Sequence, residues 1–443
     1  MGRIISTGAI FFAIIVVTIT IILYGRGYRF NLKEKEVRST GALVATSSPL
    51  GAQVFVNGTF TTATNSTTQL APGDYKVRIV KAGYIPWEKD IKIQPEVVSK
   101  ADAVLFPSSP SLSALTSTGV IKPQASPDGS KIIFMQNPES TPSAQAPNET
   151  PAEGIWLLDL SERPLGLNRD PKQIALSTVD RNWADGELVW SPTGKQVLAV
   201  FTQAIPKSTK SSLAKEQTAR ITRAYLLETD RLNSLPTDVT AMVNDLLRSW
   251  DTQRNEKNRE KLLAYPKEIV PIATSSTRLI AFSPDETKFL YQATASATLP
   301  PVIIPPLLGT DPTAEQRTIS PGKLYVYDAK EDKNFFIMNA EVVNKKQGDQ
   351  LQATRSPMFY SPFSTLNASP TLQWYPDSNH LVLLEGGHII LMDYDGINRT
   401  TVYGGPFANN FLAPWPGGGK LVILTNLNST FSDQPNLYLV NLR

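Results

Sequence analysis

The chain contains no cysteine in 443 residues. That excludes disulfides, thiolate metal sites, cysteine nucleophiles and lipid attachment at an N-terminal cysteine. Any domain outside the cytoplasm must therefore be stable from its core alone. Histidine is almost as scarce, with two residues. His380 and His388 fall in neighbouring strands of one repeat, and no third ligand accompanies them at metal-binding spacing, so both read as structural. Charged residues make up only 19% of the chain, and the formal net charge of +3 is too small and too evenly spread for a nucleic-acid binder. Nucleophile-elbow, Walker A, zinc-protease and dinucleotide-binding glycine patterns are all missing. The sequence thus offers no catalytic, cofactor-binding or metal-ligating residue.

What is present is turn chemistry. With 26 glycines, 34 prolines and 41% hydrophobic residues, the composition suits an all-β chain with real cores, and the length suits two or three domains. The one long apolar run is at the start. Residues 4–24, IISTGAIFFAIIVVTITIILY, carry no charge, and about 20 helical residues cross a bilayer. The segment that follows, GRGYRFNLKEKEVR, offers no small-x-small cleavage site, so residues 1–26 read as an uncleaved single transmembrane anchor and 27–40 as a juxtamembrane linker. Arg26, Arg29, Lys33, Lys35 and Arg38 follow the run while Arg3 precedes it. That count favours a cytoplasmic C-terminal part, although long domains can translocate regardless of charge.

Residues 41–107 show short alternating strands, expected at Leu43–Ser47, Gln53–Val56, Tyr75–Val80, Asp90–Ile93 and Ala101–Phe106, with Tyr75, Val77 and Ile79 on one face. Asn57-Gly58 marks a tight hairpin, and Pro72-Gly73-Asp74 a second turn. Ser48-Pro49-Leu50-Gly51-Ala52, VFVNG, LAPGDYKVRIVKAGY and Trp87 together resemble the PEGA domain, which implies a small β-sandwich acting as a spacer or a binder of surface polymer. Leu50 stands where that family usually has an acidic residue, a change expected to alter a turn surface and leave the fold intact.

Beyond residue 110 a two-part pattern recurs. ASPDGSKIIFM, WSPTGKQVLAVF, FSPDETKFLYQ, WYPDSNHLVLLE and WPGGGKLVILT each lead to a matching second part: IWLLDL, AYLLETD, LYVYDAKED, IILMDYDG and LYLVNLR. Repeats of this length with four strands each point to propeller blades. The set resembles the TolB-like β-propeller, carried best by Ser126-Pro127-Asp128-Gly129-Ser130-Lys131 and by residues 392–398. The expected fold is therefore an anchor, a sandwich and, over 111–443, a propeller of five to six four-stranded blades with one helical insertion at 236–266. Ser111–Thr116 is expected to complete the last blade, because an unpaired ring end leaves exposed edges. Trp190, Phe282, Trp374 and Trp415 read as one repeat position used for packing, and the turn at 393–398 as a connection, although it faintly resembles a calcium loop.

If the strands of a blade are lettered a to d, insertions at 137–154, 202–220 and 294–322 fall between b and c, and 236–266 between d and a. All four should project from one face, away from the membrane. Long loops on a rigid scaffold are where binding tends to reside, while the Ser/Thr/Pro/Ala composition of the first two also fits disordered insertions with no ligand. The candidate binding residues are Tyr84 and Trp87, which either stack on a glycan or pack in the core, where the PEGA-like pattern places aromatics anyway, and Val243, Leu246 and Trp250, which could dock a partner protein along a helix. The reading is a non-catalytic, single-pass cell-envelope protein, with its C-terminal domains placed outside the cytoplasm by both resemblances. Its partners would be the membrane and a protein or cell-surface polysaccharide, with no nucleic acid and no cofactor. The alternative is a propeller hydrolase or lyase acting on extracellular peptide or polysaccharide through a carboxylate pair.

Overall fold

The computed structural model describes residues 2–25, 28–31, 36–136, 153–161, 170–204, 219–340, 371–408, 410–427 and 434–443. Most of residues 137–154 and 202–220, two of the expected insertions, lie outside them. Helix α1 (Gly2–Gly25) covers 24 residues. Among the described residues no helix is long and apolar enough to cross a membrane. The expected linker contains a hairpin, Tyr28–Asn31 paired with Glu36–Ser39.

The sandwich has a three-stranded sheet in the order Ser66–Leu70, Gly41–Ser48, Val98–Val104. Facing it is a four-stranded sheet in the order Thr59–Ala63, Gln53–Val56, Gly73–Val80, Trp87–Ile93. Leu43, Val54, Val77, Ile79 and Ile91 close the core between them. Asn57 and Gly58 both have positive φ, 49° and 79°, as a two-residue hairpin loop requires. Leu50 is exposed, in keeping with a turn-surface change.

The described residues beyond 110 form five four-stranded antiparallel sheets, with a two-stranded one, Ala297–Thr298 paired with Thr318–Ile319, inside the insertion at 294–322. The first comprises Ile121–Ala125, Lys131–Gln136, Gly154–Asp159 and Lys172–Leu176. The second comprises Glu187–Trp190, Gln196–Ala204, Ala219–Glu228 and Thr237–Asp238. The third comprises Thr277–Phe282, Lys288–Ala293, Lys323–Asp328 and Lys333–Asn339. The fourth comprises Leu372–Trp374, His380–Glu385, His388–Asp393 and Thr400–Tyr403. The fifth is assembled from both ends of this region: Leu412–Pro414, Lys420–Thr425 and Asn436–Asn441 are joined by Ser111–Ala114, in the register Ser111 to Asn441 and Ala114 to Tyr438.

The recurring Ser-Pro-Asp turn has a local cause. Ser126 Oγ donates to Asp128 Oδ1 at 2.6 Å and accepts from the Lys131 amide at 3.0 Å, and the same pair of bonds recurs at Ser283, Asp285 and Lys288. The fourth turn position is left-handed in all five copies: Gly129, Gly194 and Gly418, but also Glu286 and Ser378, so a glycine-based motif misses two of them. One expectation needs correcting. Pro414 pairs with Leu421 as Trp374 pairs with Leu381, so Trp415 falls one residue later than Trp190, Phe282 and Trp374 and occupies the place of Tyr375. It is buried there all the same.

Apolar contacts pass from sheet to sheet. Clusters join the third to the fourth, the fourth to the fifth, the fifth to the first and the first to the second. Between the second and third sheets lie α2 (Val243–Leu263) and α3 (Val270–Ser275). Val243, Leu247 and Trp250 are buried against Val189, Leu198 and Val200 of the second sheet, with Leu246 packed beside them. Leu262, Tyr265 and Ile269 cover Phe289 and Tyr327 of the third.

The pairing of Ser111 with Asn441 makes a direct prediction. Antiparallel partners lie about 4.5–5.5 Å apart at Cα, within disulfide range. Ser111→Cys with Asn441→Cys, in a chain that has no other cysteine, should form an intrachain disulfide and raise stability by about 3–5 kcal/mol. Non-reducing electrophoresis and urea melts check both; failure to oxidise would show the two ends unpaired.

Candidate functional site

Trp87 is buried, and its Nε1 donates to Asp393 Oδ2 at 3.1 Å, so it is no platform for a glycan. Tyr84, half-buried, packs on the sandwich core and bridges to Pro107. Val243, Leu246 and Trp250 are likewise taken up inside the molecule, where α2 serves the second sheet and not an external partner. Trp87, Val243, Leu246 and Trp250 belong to amphipathic elements whose apolar side found an internal face, while Tyr84 stands in the turn before the Trp87 strand.

The chemistry-bearing groups converge instead where the sandwich meets the fourth sheet. The strand starting at Trp87 delivers Lys89, whose Nζ lies 2.7 Å from both Asp311 Oδ2 and Asp395 Oδ2. Their side chains are 10%, 8% and 0% exposed. Asp395 sits in the turn of residues 393–398. Asp311 belongs to the insertion at 294–322, which was expected to project away from the sandwich. The insertion folds back along the outer strand of the third sheet: Gln316 N donates to Asn334 O, and the amides of Val302 and Ile303 donate to Asp332 Oδ2 at 2.6 and 3.1 Å. Asp311 N donates to Glu331 Oε2 at 2.9 Å. This fold-back rests on hydrogen bonds between segments distant in sequence, for which spacing offers no signal.

Around this ion triad the partners are shared out. Thr313 Oγ1 donates to Asp395, and Thr313 N to Asp311 Oδ1 at 2.9 Å. Glu88 N donates to Asn398 Oδ1 at 3.2 Å, and Asn398 Nδ2 to Asp393 Oδ2 at 2.9 Å. The residues that suggested a calcium loop thus hold a lysine ammonium and an indole N–H; among the described residues no group of three or more acids and histidines could hold a metal. Burial disfavours the charge on Lys89, but Asp395 and Asp311 outweigh it and leave its pKa above the ordinary lysine value. Burial also works against Asp311, yet Lys89 and its hydrogen bonds hold it below the usual carboxylate range. Asp395 ends above that range, through burial and the nearby charges of Asp311 and Asp393, with Lys89 pulling the other way. Two carboxylates facing one ammonium cannot both ionise easily.

His380 extends the network. It lies between Asp377, with Nδ1 2.8 Å from Oδ2, and Asp393, with Nε2 3.3 Å from Oδ1. Burial opposes its charge, but the hydrogen bonds and charges of the two aspartates prevail and push its pKa up to about 10. Phe106, at the exit of the sandwich, packs edge-on to it at 5.3 Å. A cavity of 20 Å³ lined by Trp87, Phe106, His380 and Asp393 has room for about one water. A larger cleft of 480 Å³ opens between the sandwich and the insertion, lined by Asp74, Asp90, Lys92, Leu307, Gly309 and Lys333 among others. Sequence singled out the turn 393–398 and both histidines, but not Lys89, Asp311 or the cleft.

Comparison with known proteins gives one family. The PEGA domain model matches residues 40–109. No curated protein matches the chain. Similar solved structures include the putative TolB from Agrobacterium tumefaciens, at 13% identity and TM-score 0.19, covering 76% of this chain and 73% of that one. Oligogalacturonate lyase from Vibrio parahaemolyticus is 9% identical at TM-score 0.19, covering 92% and 90%. A Myceliophteria thermophila β-propeller domain is 8% identical at TM-score 0.24, covering 75% and 100%. At these scores the likenesses decide nothing about this chain.

Two outcomes follow from the network. Lys89→Met leaves two buried carboxylates without their cation and should destabilise by about 3–5 kcal/mol, with part of the loss recovered when Asp395→Asn is added; urea unfolding of the single and double variants measures it. Because folding raises the His380 pKa, its stabilisation is complete below about pH 6.5, the unfolded value, and drains away as the pH climbs toward 10. His380→Leu should flatten the decline in stability between pH 7 and 10; an unchanged slope would mean that His380 is neutral in the fold.

Proposed function

We propose that the chain is a non-catalytic, membrane-anchored protein of the cell envelope, whose five sheets close as a propeller and offer a loop-bearing face to a protein or a cell-surface polysaccharide. The observation that carries this reading is the docking of the sandwich on the fourth sheet through Lys89 and Trp87. A sandwich free to swing would only tether the sheets. One fastened by a buried ion triad and an indole hydrogen bond acts as a rigid spacer and hands the orientation of the anchor on to the sheets.

Other observations support the parts. The uncharged run 4–24 lies within a helix of 24 residues, about 36 Å long at 1.5 Å per residue, against a hydrocarbon core of roughly 30 Å. The propeller reading rests on the succession of sheet contacts and on completion of the fifth sheet by Ser111–Ala114, which pairs the first strand of this region with its last. The reading is non-catalytic because the acids that converge at this junction are occupied: Asp395 and Asp311 by Lys89, and Asp377 by His380. Placement outside the cytoplasm leans on the PEGA match, against the count of basic residues after α1. The binding face is then the one opposite the sandwich, where the strands Lys131–Gln136 and Gln196–Ala204 end.

Protease added to intact cells that make the full chain should remove the part beyond the anchor, and deletion of residues 2–25 should move the protein to the soluble fraction. A full-length band that survives protease on intact cells, and is lost on lysed ones, would put the domains in the cytoplasm.

A further inference from the structure

The insertion at 294–322 exposes apolar side chains on a segment that is held in place. Ile304, Leu307 and Leu308 are 77%, 47% and 68% exposed. The segment before them is fixed by the amides of Val302 and Ile303 on Asp332, and the segment after them by Asp311 on Lys89. Gly309 lies so close to the sandwich that a Cβ there would stand 2.6 Å from the Val98 carbonyl oxygen. The three side chains are therefore displayed by a fastened loop, with Val98, itself 51% exposed, beside them.

Their place on the sandwich is the informative part. Val98 opens the strand that runs parallel to Gly41–Ser48, with Ala42 opposite it. Gly41 is where the chain arrives from α1. Between the two, the hairpin brings the chain back on itself, because Tyr28 pairs with Ser39. Three peptide units from Gly25 to Tyr28, one antiparallel pair and two further units separate the end of α1 from Gly41 by at most about 23 Å. The end of the sandwich that carries Val98 and the loop is thus the end tied closest to α1.

Resting on the anchor reading above, we infer that this end is a second membrane contact: Ile304, Leu307 and Leu308, with Val98, lie in the interfacial layer of the bilayer that α1 crosses. The flanking cleft suits that surface. It carries both signs of charge, Asp74 and Asp90 with Lys92 and Lys333, which matches zwitterionic lipid headgroups more closely than a polyanion. A cluster of large apolar side chains that the fold holds in water needs an apolar partner, and the bilayer is the one that chain connectivity brings within reach.

The lack of native cysteine makes the test clean. The full chain is reconstituted in phosphatidylcholine nanodiscs with one environment-sensitive label at a time, on Ile304→Cys, Leu308→Cys, Val17→Cys within α1, or Val179→Cys, a fully exposed site in the connection between the first and second sheets. A lipid bearing a quencher on its acyl chain should reduce the signal at least two-fold at 304, 308 and 17 and leave 179 unchanged. Quenching at 17 with none at 304 and 308 overturns the second contact and spares the anchor. Absence of quenching at 17 overturns the anchor and this inference with it. A loop that served a protein partner instead would stay unquenched in these discs and so count against the proposal.

Discussion

One ammonium ties together three stretches of chain that are remote in sequence. Lys89 comes from the sandwich, Asp311 from an insertion more than two hundred residues later, and Asp395 from a turn of the fourth sheet. Two further hydrogen bonds at this junction, Trp87 to Asp393 and Glu88 to Asn398, come from the same strand and meet the same turn. The register of that strand against the turn is therefore what sets the sandwich on the sheets. A shift of one residue would turn Lys89 to the opposite face and leave Asp395 with neither cation nor water.

Such a triad is a poor source of stability compared with the apolar packing beside it. Removing two carboxylates and an ammonium from water costs several kcal/mol per ion, and their attraction returns that only when the geometry is good and the remaining lone pairs are filled. Here they are filled, by Thr313, Ile397 and the backbone of the insertion. Phe106 and its apolar neighbours across the fourth and fifth sheets supply adhesion at the same junction. The two contributions divide the work: apolar area holds the parts together without direction, and the buried charges permit one orientation. A buried lysine with two acceptors cannot slide, because any displaced arrangement leaves a charge unpaired.

The sheets were legible in the sequence because their cause is local. Each of the five turn motifs sits between strands of buried apolar residues, and all five paired as the repeat predicts, including the borrowed strand at Ser111. Within the sandwich, strands with apolar alternation were found, while Thr59–Ala63 and Ser66–Leu70 were not. Both are rich in threonine and serine, and they are strands because a neighbour offers backbone partners, which no side-chain period reveals. The slip at Trp415 has a local cause: Pro416 follows it directly, whereas one residue separates Trp190, Phe282 and Trp374 from Pro192, Pro284 and Pro376. The junction was not legible at all. Lys89 reads as one of many surface lysines until the fold-back of 294–322 buries it, and the amphipathic face of α2 does not say whether its partner is inside or outside the chain.

That last ambiguity is resolved by dimensions. Packed sheets stand about 10 Å apart, and a helix with its side chains is about 10–12 Å across. In the proposed wheel, four of the five sheet-to-sheet steps are direct, while the step from second to third passes through α2 and α3. A layer of helix has nearly the thickness of a layer of sheet, so it can occupy one wedge of the circle without straining its neighbours. Trp250 of α2 is accordingly buried against the second sheet, and Tyr265, in the link between α2 and α3, against the third. Five strand repeats and one helical insertion can in this way fill the angle that six blades would take. The insertion then belongs to the frame of the wheel and not to its binding surface.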